Sequence, residues 1–171
     1  TYRSIETLRK TEDTVVEIVE SLLDGKRYIK KIYHSDKRAA YNSLKQIKNP
    51  YIPQIYEVFF GEDTIVIEEY VTGETLGALI DRKCDFPPDA VKKIINCLIN
   101  AVSELHHNNI IHRDIKPSNI IIRPNGEVVL IDLRYYRQTV SELVKQEGFD
   151  NILVCYSCAN FLTDTNLMLL R

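Results

Sequence analysis

The apolar residues of this chain change rhythm near residue 71. Before that point they alternate with polar residues over short stretches. Residues 14–19 alternate and are rich in β-branched side chains. Residues 28–33 repeat the pattern after a turn at 22–26, whose Gly25 is available for positive φ. Residues 36–48 read as a helix, with Ala39, Ala40, Leu44 and Ile47 apolar, and Asn49-Pro50 stops it. Residues 55–60 and 64–70 flank Gly61-Glu62-Asp63, a hairpin signal. The order predicted for this part is strand, strand, helix, strand, strand.

Beyond residue 71 the spacing becomes helical. Gly73 loosens the chain after the last strand, and a short helix is predicted over 76–81. After Phe86-Pro87-Pro88 the apolar positions Val91, Ile94, Ile95, Leu98, Val102 and Leu105 follow the 3.6-residue repeat. Pro88 suits the first turn, where a missing N–H costs little. This helix ends by His106-His107-Asn108-Asn109. Strands are predicted over 120–123 and 128–131, joined by the turn sequence Pro124-Asn125-Gly126-Glu127. From Arg134 the pattern weakens. Residues 141–146 read as helical and 151–155 as extended.

Composition narrows the class without naming a function. Over 171 residues, 22 Lys+Arg oppose 24 Asp+Glu, a net charge of −2, which argues against a strongly basic nucleic-acid-binding domain. Hydrophobic residues at 44% and charged residues at 27% exclude disorder. A chain of this length buries roughly 70% of its unfolded surface, so it needs no staples. No apolar run is long enough for a transmembrane helix, and no apolar signal region opens the sequence. Because residue 1 is Thr, the natural start is expected upstream. The four Cys do not form a disulfide framework. Cys155-x-x-Cys158 has half the spacing of a zinc site and no second pair, so it reads as two small buried residues. A reducing cytoplasm fits best.

The chemistry gathers in His112-Arg113-Asp114-Ile115-Lys116-Pro117-Ser118-Asn119, between the long helix and the strand pair. Phosphoryl transfer needs this set: a carboxylate to orient a hydroxyl, a cation near the phosphate, and an oxygen ligand for a metal. Asp132 follows at the end of the second strand, where it and Asn119 can converge on one Mg²⁺.

These residues resemble the catalytic loop of eukaryotic-like Ser/Thr protein kinases, matching it at His112, Arg113, Asp114, Lys116, Pro117 and Asn119. The resemblance covers roughly residues 5–138. It implies that Asp114 is the catalytic base, that Lys116 contacts the transferring phosphate, and that Asn119 and Asp132 bind metal. Tyr28-Ile29-Lys30-Lys31-Ile32 fits the third-strand lysine motif, with Lys30 as the phosphate-binding lysine and Lys31 on the opposite face. Glu69-Tyr70-Val71 resembles the hinge, where the C=O of Glu69 and the N–H of Val71 meet adenine. Ile131-Asp132-Leu133 matches the start of the metal-binding motif.

The departures are as specific as the matches. Arg9, Thr11 and Thr14 stand where the glycine loop has glycines, so the backbone there must sit differently, with Arg9 and Lys10 either supplying charge or remaining a solvated pair. Counting back from Pro50, the helix offers Ala40 where the family supplies a glutamate to the strand lysine. Glu17 or Glu20 on the neighbouring strand is the substitute partner for Lys30. Arg134 replaces the glycine of the metal motif, and Cys158-Ala159-Asn160-Phe161 is a poor substrate-supporting motif.

The resemblance thus implies an α+β, two-lobed kinase-like fold. Residues 1–71 form an N-terminal antiparallel sheet with one helix and the hinge. Residues 72–171 form an abbreviated, mainly helical lobe, with catalytic loop 112–119, metal motif 132–134 and a degenerate activation segment over 135–161. The expected activity is ATP- and Mg²⁺-dependent transfer of a γ-phosphate to a Ser/Thr hydroxyl of a protein in the cytoplasm, without nucleic acid or membrane. A pseudokinase-like module that regulates a partner is the alternative, and a compact small-molecule kinase a weaker one. The shortened lobe predicts a partner protein, a homodimer, or another use of residues 140–171.

Overall fold

In a computed structural model, residues 1–108 and 110–133 are described. Residues 134–171 fall outside that range. So do the predicted elements at 141–146 and 151–155, Arg134, the activation segment and the Cys155/Cys158 pair. The chain divides into Thr1–Asn49 with Pro53–Val71, and Pro50–Ile52 with the chain from Thr72 onward.

The first unit is a five-stranded antiparallel sheet and one helix: β1 (Tyr2–Lys10), β2 (Thr14–Ser21), β3 (Arg27–Tyr33), α1 (Arg38–Leu44), β4 (Ile55–Phe60) and β5 (Thr64–Glu69). The strand order is β1-β2-β3-β5-β4. β1 was not legible from the pattern, because it is an edge strand with mostly exposed side chains and bulges between Ser4/Glu6 and Thr7/Arg9 that break the period of two. The other strands fall within a residue or two of their predicted bounds.

α1 is shorter than the predicted 36–48. The Oδ1 of Asp36 accepts from the Arg38 N–H, and the Thr64 hydroxyl accepts from the Lys37 N–H while donating to Ser35 O, which fixes the helix start. After Leu44 the chain tightens: the Gln46 and Ile47 N–H groups reach back three residues to Ser43 O and Leu44 O. Tyr41, Leu44 and Ile47 remain buried through the change.

Continuous pairing from β2 through β3 to β5 sorts their residues onto two faces. One face carries Val16, Ile18, Ile29, Lys31, Tyr33, Thr64, Val66 and Glu68. α1 lies on this face, since the Tyr41 and Tyr33 hydroxyls are 2.7 Å apart and Arg38 stacks on the Phe60 ring at 5.3 Å. The other face carries Glu17, Val19, Tyr28, Lys30, Ile67 and Glu69. There Tyr2, Tyr28 and Tyr56 meet edge to face, at 5.7 and 5.3 Å between ring centroids.

The second unit contains β6 (Glu74–Thr75), α2 (Leu76–Asp81), α3 (Pro88–His107), a 3-10 turn (Pro117–Asn119), β7 (Ile120–Ile122) and β8 (Val128–Leu130). α3 begins at Pro88, and its N-terminal Ala90 and Val91 N–H groups bond to Pro87 O. It buries Ile94, Cys97, Leu98, Ala101, Val102 and Leu105, a stripe at helical spacing. A fully buried leucine such as Leu105 contributes about 1.5–3 kcal/mol. β6, β7 and β8 form a small antiparallel sheet whose last strand is wholly buried. The N–H of Leu130 bonds to Tyr51 O, which ties residues 50–52 to this unit.

Gly73 does more than loosen the chain. It takes φ +147°, and a Cβ there would fall 2.3 Å from Ile122 O. Only glycine lets this backbone pass so close to β7 as it enters β6. Among the described residues no helix is long and apolar enough to cross a membrane, and Cys84 and Cys97 are free thiols.

Candidate active site

The second unit gathers its polar residues on the loop between α3 and β7. His112 is buried and anchors the loop at both ends. Its Nδ1 accepts from the Asp114 N–H at 3.3 Å, so the proton is on Nε2, which donates to Ile131 O at 3.1 Å. The loop is thereby tied to the strand end that carries Asp132. Arg113, next to His112, takes φ +60°, an uncommon value for a side chain of this size, and the turn aims the Asp114 carboxylate.

The Asp114 carboxylate is held at Oδ2 by two side chains. Its Oδ2 lies 2.9 Å from Lys116 Nζ and accepts from Asn119 Nδ2 at 2.9 Å. The same Asn119 amide nitrogen donates to Asp114 O at 2.8 Å. Two charge-assisted or bifurcated contacts fix the carboxylate more firmly than one surface pair would. Lys116 is half-exposed and Asp114 largely buried, so the ammonium can reach outward while the carboxylate stays in place.

Both bonds of the buried Asn119 side chain use Nδ2, so its Oδ1 remains able to accept or to ligate. The Ile131 N–H bonds to Asn119 O at 2.8 Å, which brings Asp132, one residue further on, beside Asn119. Asp132 also takes φ +60°, a conformation that aspartate tolerates better than most residues. An amide oxygen and a carboxylate are the hard donors that Mg²⁺ takes while keeping several waters. Among the described residues no group of three or more His, Cys, Asp or Glu is placed to hold a metal. The donor set, an amide oxygen and a carboxylate, suits a hydrated Mg²⁺.

The first unit carries the other predicted residues. Lys30 pairs with Glu17, directly across from it on β2, at 3.7 Å, as one of the two predicted substitutes. Ser4 Oγ donates to the other oxygen of Glu17. The other predicted substitute, Glu20, pairs instead with Arg3. Lys30 lies on the face away from α1 and Lys31 on the face that bears it, on opposite faces as expected. The lysine on the α1 face is its neighbour Lys31, buried and 2.7 Å from the equally buried Glu68. Sequence reasoning placed Lys31 on the opposite face and did not single out Glu68. The signal for both was the strand register, since one residue decides which lysine faces the helix.

The hairpin at 8–15 is closed rather than open. The Thr11 N–H and hydroxyl both donate to Thr14 O, and the Thr14 N–H donates to Thr11 Oγ1. Thr11 thus satisfies the turn with its side chain where the resemblance expects glycine. Arg9 is half-buried near the end of β1, and Lys10 is exposed. At the end of β5 the Glu69 N–H donates to Gln54 O at 2.8 Å, and Val71 is buried.

An antiparallel sheet bearing one helix, and a helical unit whose loop ties a carboxylate to a lysine and an asparagine, together define a kinase-like protein. The chain belongs to the protein kinase family, whose protein kinase domain model matches residues 8–149. It is 37% identical over 102 residues to serine/threonine-protein kinase C of Synechocystis sp., covering 58% of this chain and 19% of that protein. It is 35% identical over 99 residues to serine/threonine-protein kinase PknA of Nostoc sp., covering 57% of this chain and 18% of that one. A match at 28% over 149 residues to CBL-interacting protein kinase 33 of Oryza sativa subsp. japonica covers 86% of this chain and 32% of the relative. The chain thus spans between 18% and 32% of the length of these three relatives.

Proposed function

We propose that this chain is a Ser/Thr protein kinase domain that transfers the γ-phosphate of ATP to a protein hydroxyl. The observation that carries the reading is the double hold on Asp114 Oδ2 by Lys116 and Asn119. A carboxylate fixed in this way accepts a hydrogen bond from the substrate hydroxyl and orients its oxygen toward phosphorus. The new P–O bond forms as the bond to the β-phosphate oxygen breaks. ADP leaves, and the hydroxyl proton passes to Asp114. Lys116 is placed to balance charge on the transferring group, so the protein's work is positioning and electrostatics.

Asn119 Oδ1 and the Asp132 carboxylate would hold Mg²⁺, which when bound neutralises charge on the phosphate oxygens. The C=O of Glu69 and N–H of Val71 would meet adenine, and a β3 lysine the α/β-phosphates. Arg9 and Lys10 lie beside the closed hairpin and add positive charge near that strand end. Residues 1–71 then form the nucleotide-side lobe, with its hinge, and 72–171 the catalytic lobe. Cytoplasmic placement agrees with the free thiols of Cys84 and Cys97.

A second reading, a pseudokinase-like module, is favoured by the closed hairpin and by Ala40 at the position where a glutamate was expected. One experiment separates the two: Mg-ATP affinity and transfer of labelled γ-phosphate to a mixture of casein and histones, for the chain and for Asp114→Asn. The enzyme reading expects transfer by the parent chain. It also expects a loss of about 10²–10⁴-fold in Asp114→Asn with nucleotide affinity retained. Binding without transfer in the parent chain gives the pseudokinase reading. Equal transfer by both proteins removes Asp114 from the role.

A further inference from the structure

The cations of the first unit are unevenly placed. Residues 36–48, which contain α1, carry Lys37, Arg38, Lys45 and Lys48 against one carboxylate, Asp36. Elsewhere in residues 1–71 seven Lys+Arg face eleven Asp+Glu. Four of those seven are paired: Arg3 with Glu20, Lys26 with Asp24, Lys30 with Glu17 and Lys31 with Glu68. Among the described residues, no carboxylate lies within 4.0 Å of a side-chain nitrogen of the four cations in the α1 stretch. Asp36 turns its Oδ1 to the Arg38 backbone N–H rather than to a side chain.

Two of the four are anchored on aromatic rings. Lys37 Nζ lies 6.0 Å from the Tyr33 ring centroid, and the Arg38 guanidinium 5.3 Å from that of Phe60. Arg38, Asn42 and Lys45 follow at helical spacing and are exposed, as is Lys48 after the tightened turn. Like charges gathered on one face repel, so fold stability does not explain them. We propose that this exposed face of α1, with the turn after it, is a docking surface for an acidic segment of a partner protein. Charge complementarity selects that occupant. A lipid surface would need apolar side chains exposed among the cations, and Tyr41, Leu44 and Ile47 are buried. Nucleic acid is gripped by long basic tracks, whereas here four cations stand on a chain of net charge −2. Two helical turns, about 10 Å, separate Arg38 from Lys45, a distance that carboxylates seven residues apart on a partner helix match. The surface lies outside the nucleotide chemistry and does not depend on the kinase reading.

The test is fluorescence anisotropy of a labelled oligoglutamate peptide in low salt, with thermal unfolding alongside, on the full chain and two triple variants. The parent should bind, and more weakly as salt rises. Arg38→Gln with Lys45→Gln and Lys48→Gln should lower the affinity about tenfold or more. Its unfolding temperature should stay near the parent value, since all three side chains are exposed. Lys26→Gln with Lys92→Gln and Lys93→Gln removes the same charge from exposed positions elsewhere and should bind within about twofold of the parent. Equal weakening in the two triple variants would reveal attraction to overall charge and overturn the proposal, as would a parent chain that does not bind the peptide. Tighter binding of a labelled oligonucleotide, or of phosphatidylserine vesicles, than of the peptide would also overturn it.

Discussion

The two units hold their polar groups in place by different means. In the second unit backbone conformation and backbone hydrogen bonds frame the side-chain hold on Asp114. Arg113 and Asp132 sit at φ +60°, Gly73 presses against β7, and His112 ties the catalytic loop to Ile131 through two backbone groups. In the first unit side chains pair across strands, Lys31 with Glu68 and Lys30 with Glu17, and from strand to helix, Tyr33 with Tyr41. Backbone constraints leave a residue few alternatives, while a cross-strand pair can be rebuilt from other residues at other positions. The difference fits a loop that matches its family at each signature position and a sheet that departs from it at the glycine positions and at Ala40.

The largest effect expected from this contrast is at Gly73. Gly73→Ala places a methyl 2.3 Å from Ile122 O at φ +147°, which something must move to relieve. The cost should be about 3 kcal/mol or more, read as a fall in the urea midpoint. Gly25 in the first unit is the control. It also has positive φ, at +69°, but a Cβ there meets nothing within 4 Å. Gly25→Ala should cost only about 1–2 kcal/mol, the left-handed penalty alone. Equal costs at the two positions would show that the second unit does not depend on its backbone more than the first.

A smaller effect is expected where side chains hold α1 to the sheet. Tyr41 is buried, and its hydroxyl is 2.7 Å from that of Tyr33. Tyr41→Phe keeps the ring and removes the bond. The half-exposed Tyr33 hydroxyl can turn to water, so the loss should be about 0.5–1.5 kcal/mol in the same denaturation measurement. A loss as large as that of Gly73→Ala would mean that this pair is as constraining as the backbone contacts of the other unit.

What the sequence made legible follows the same division. The loop at 112–119 was readable because its residues are contiguous and match the family at each signature position. The α3 stripe was readable because one helix face is buried along its length. Which of the two consecutive lysines faces α1 was not legible, because they differ only in face, and the face is set by pairing with β5 and by α1, neither of which leaves a local signal. β1 escaped because an exposed, bulged edge strand has no apolar alternation to show. The start of α1 is fixed by Thr64, twenty residues beyond the end of the helix, and no window around the helix contains it. Gly73 was visible as a flexible position, but its contact with Ile122 needed the β6–β7 pairing.

The smallest effect lies on the face of the sheet away from α1, and it is visible only in alkali. Burial, then the hydrogen bond to Glu57 and the charge of that carboxylate, push the Tyr2 hydroxyl up from 10.0 to about 12. An acid whose folded value is raised stays protonated in the folded chain while the unfolded chain loses its proton. Between these two values the unfolded state binds fewer protons, so stability is complete below pH 10 and declines as pH rises toward 12. Tyr2→Phe removes the titrating group, and its urea midpoint should fall less steeply than that of the parent above about pH 10. Tyr28, raised by burial and then by Asp24, still titrates in the variant, so part of the slope remains. An unchanged slope in Tyr2→Phe would mean that β1 is not held through Glu57, and that the tyrosine edge contacts alone join it to the far side of the sheet.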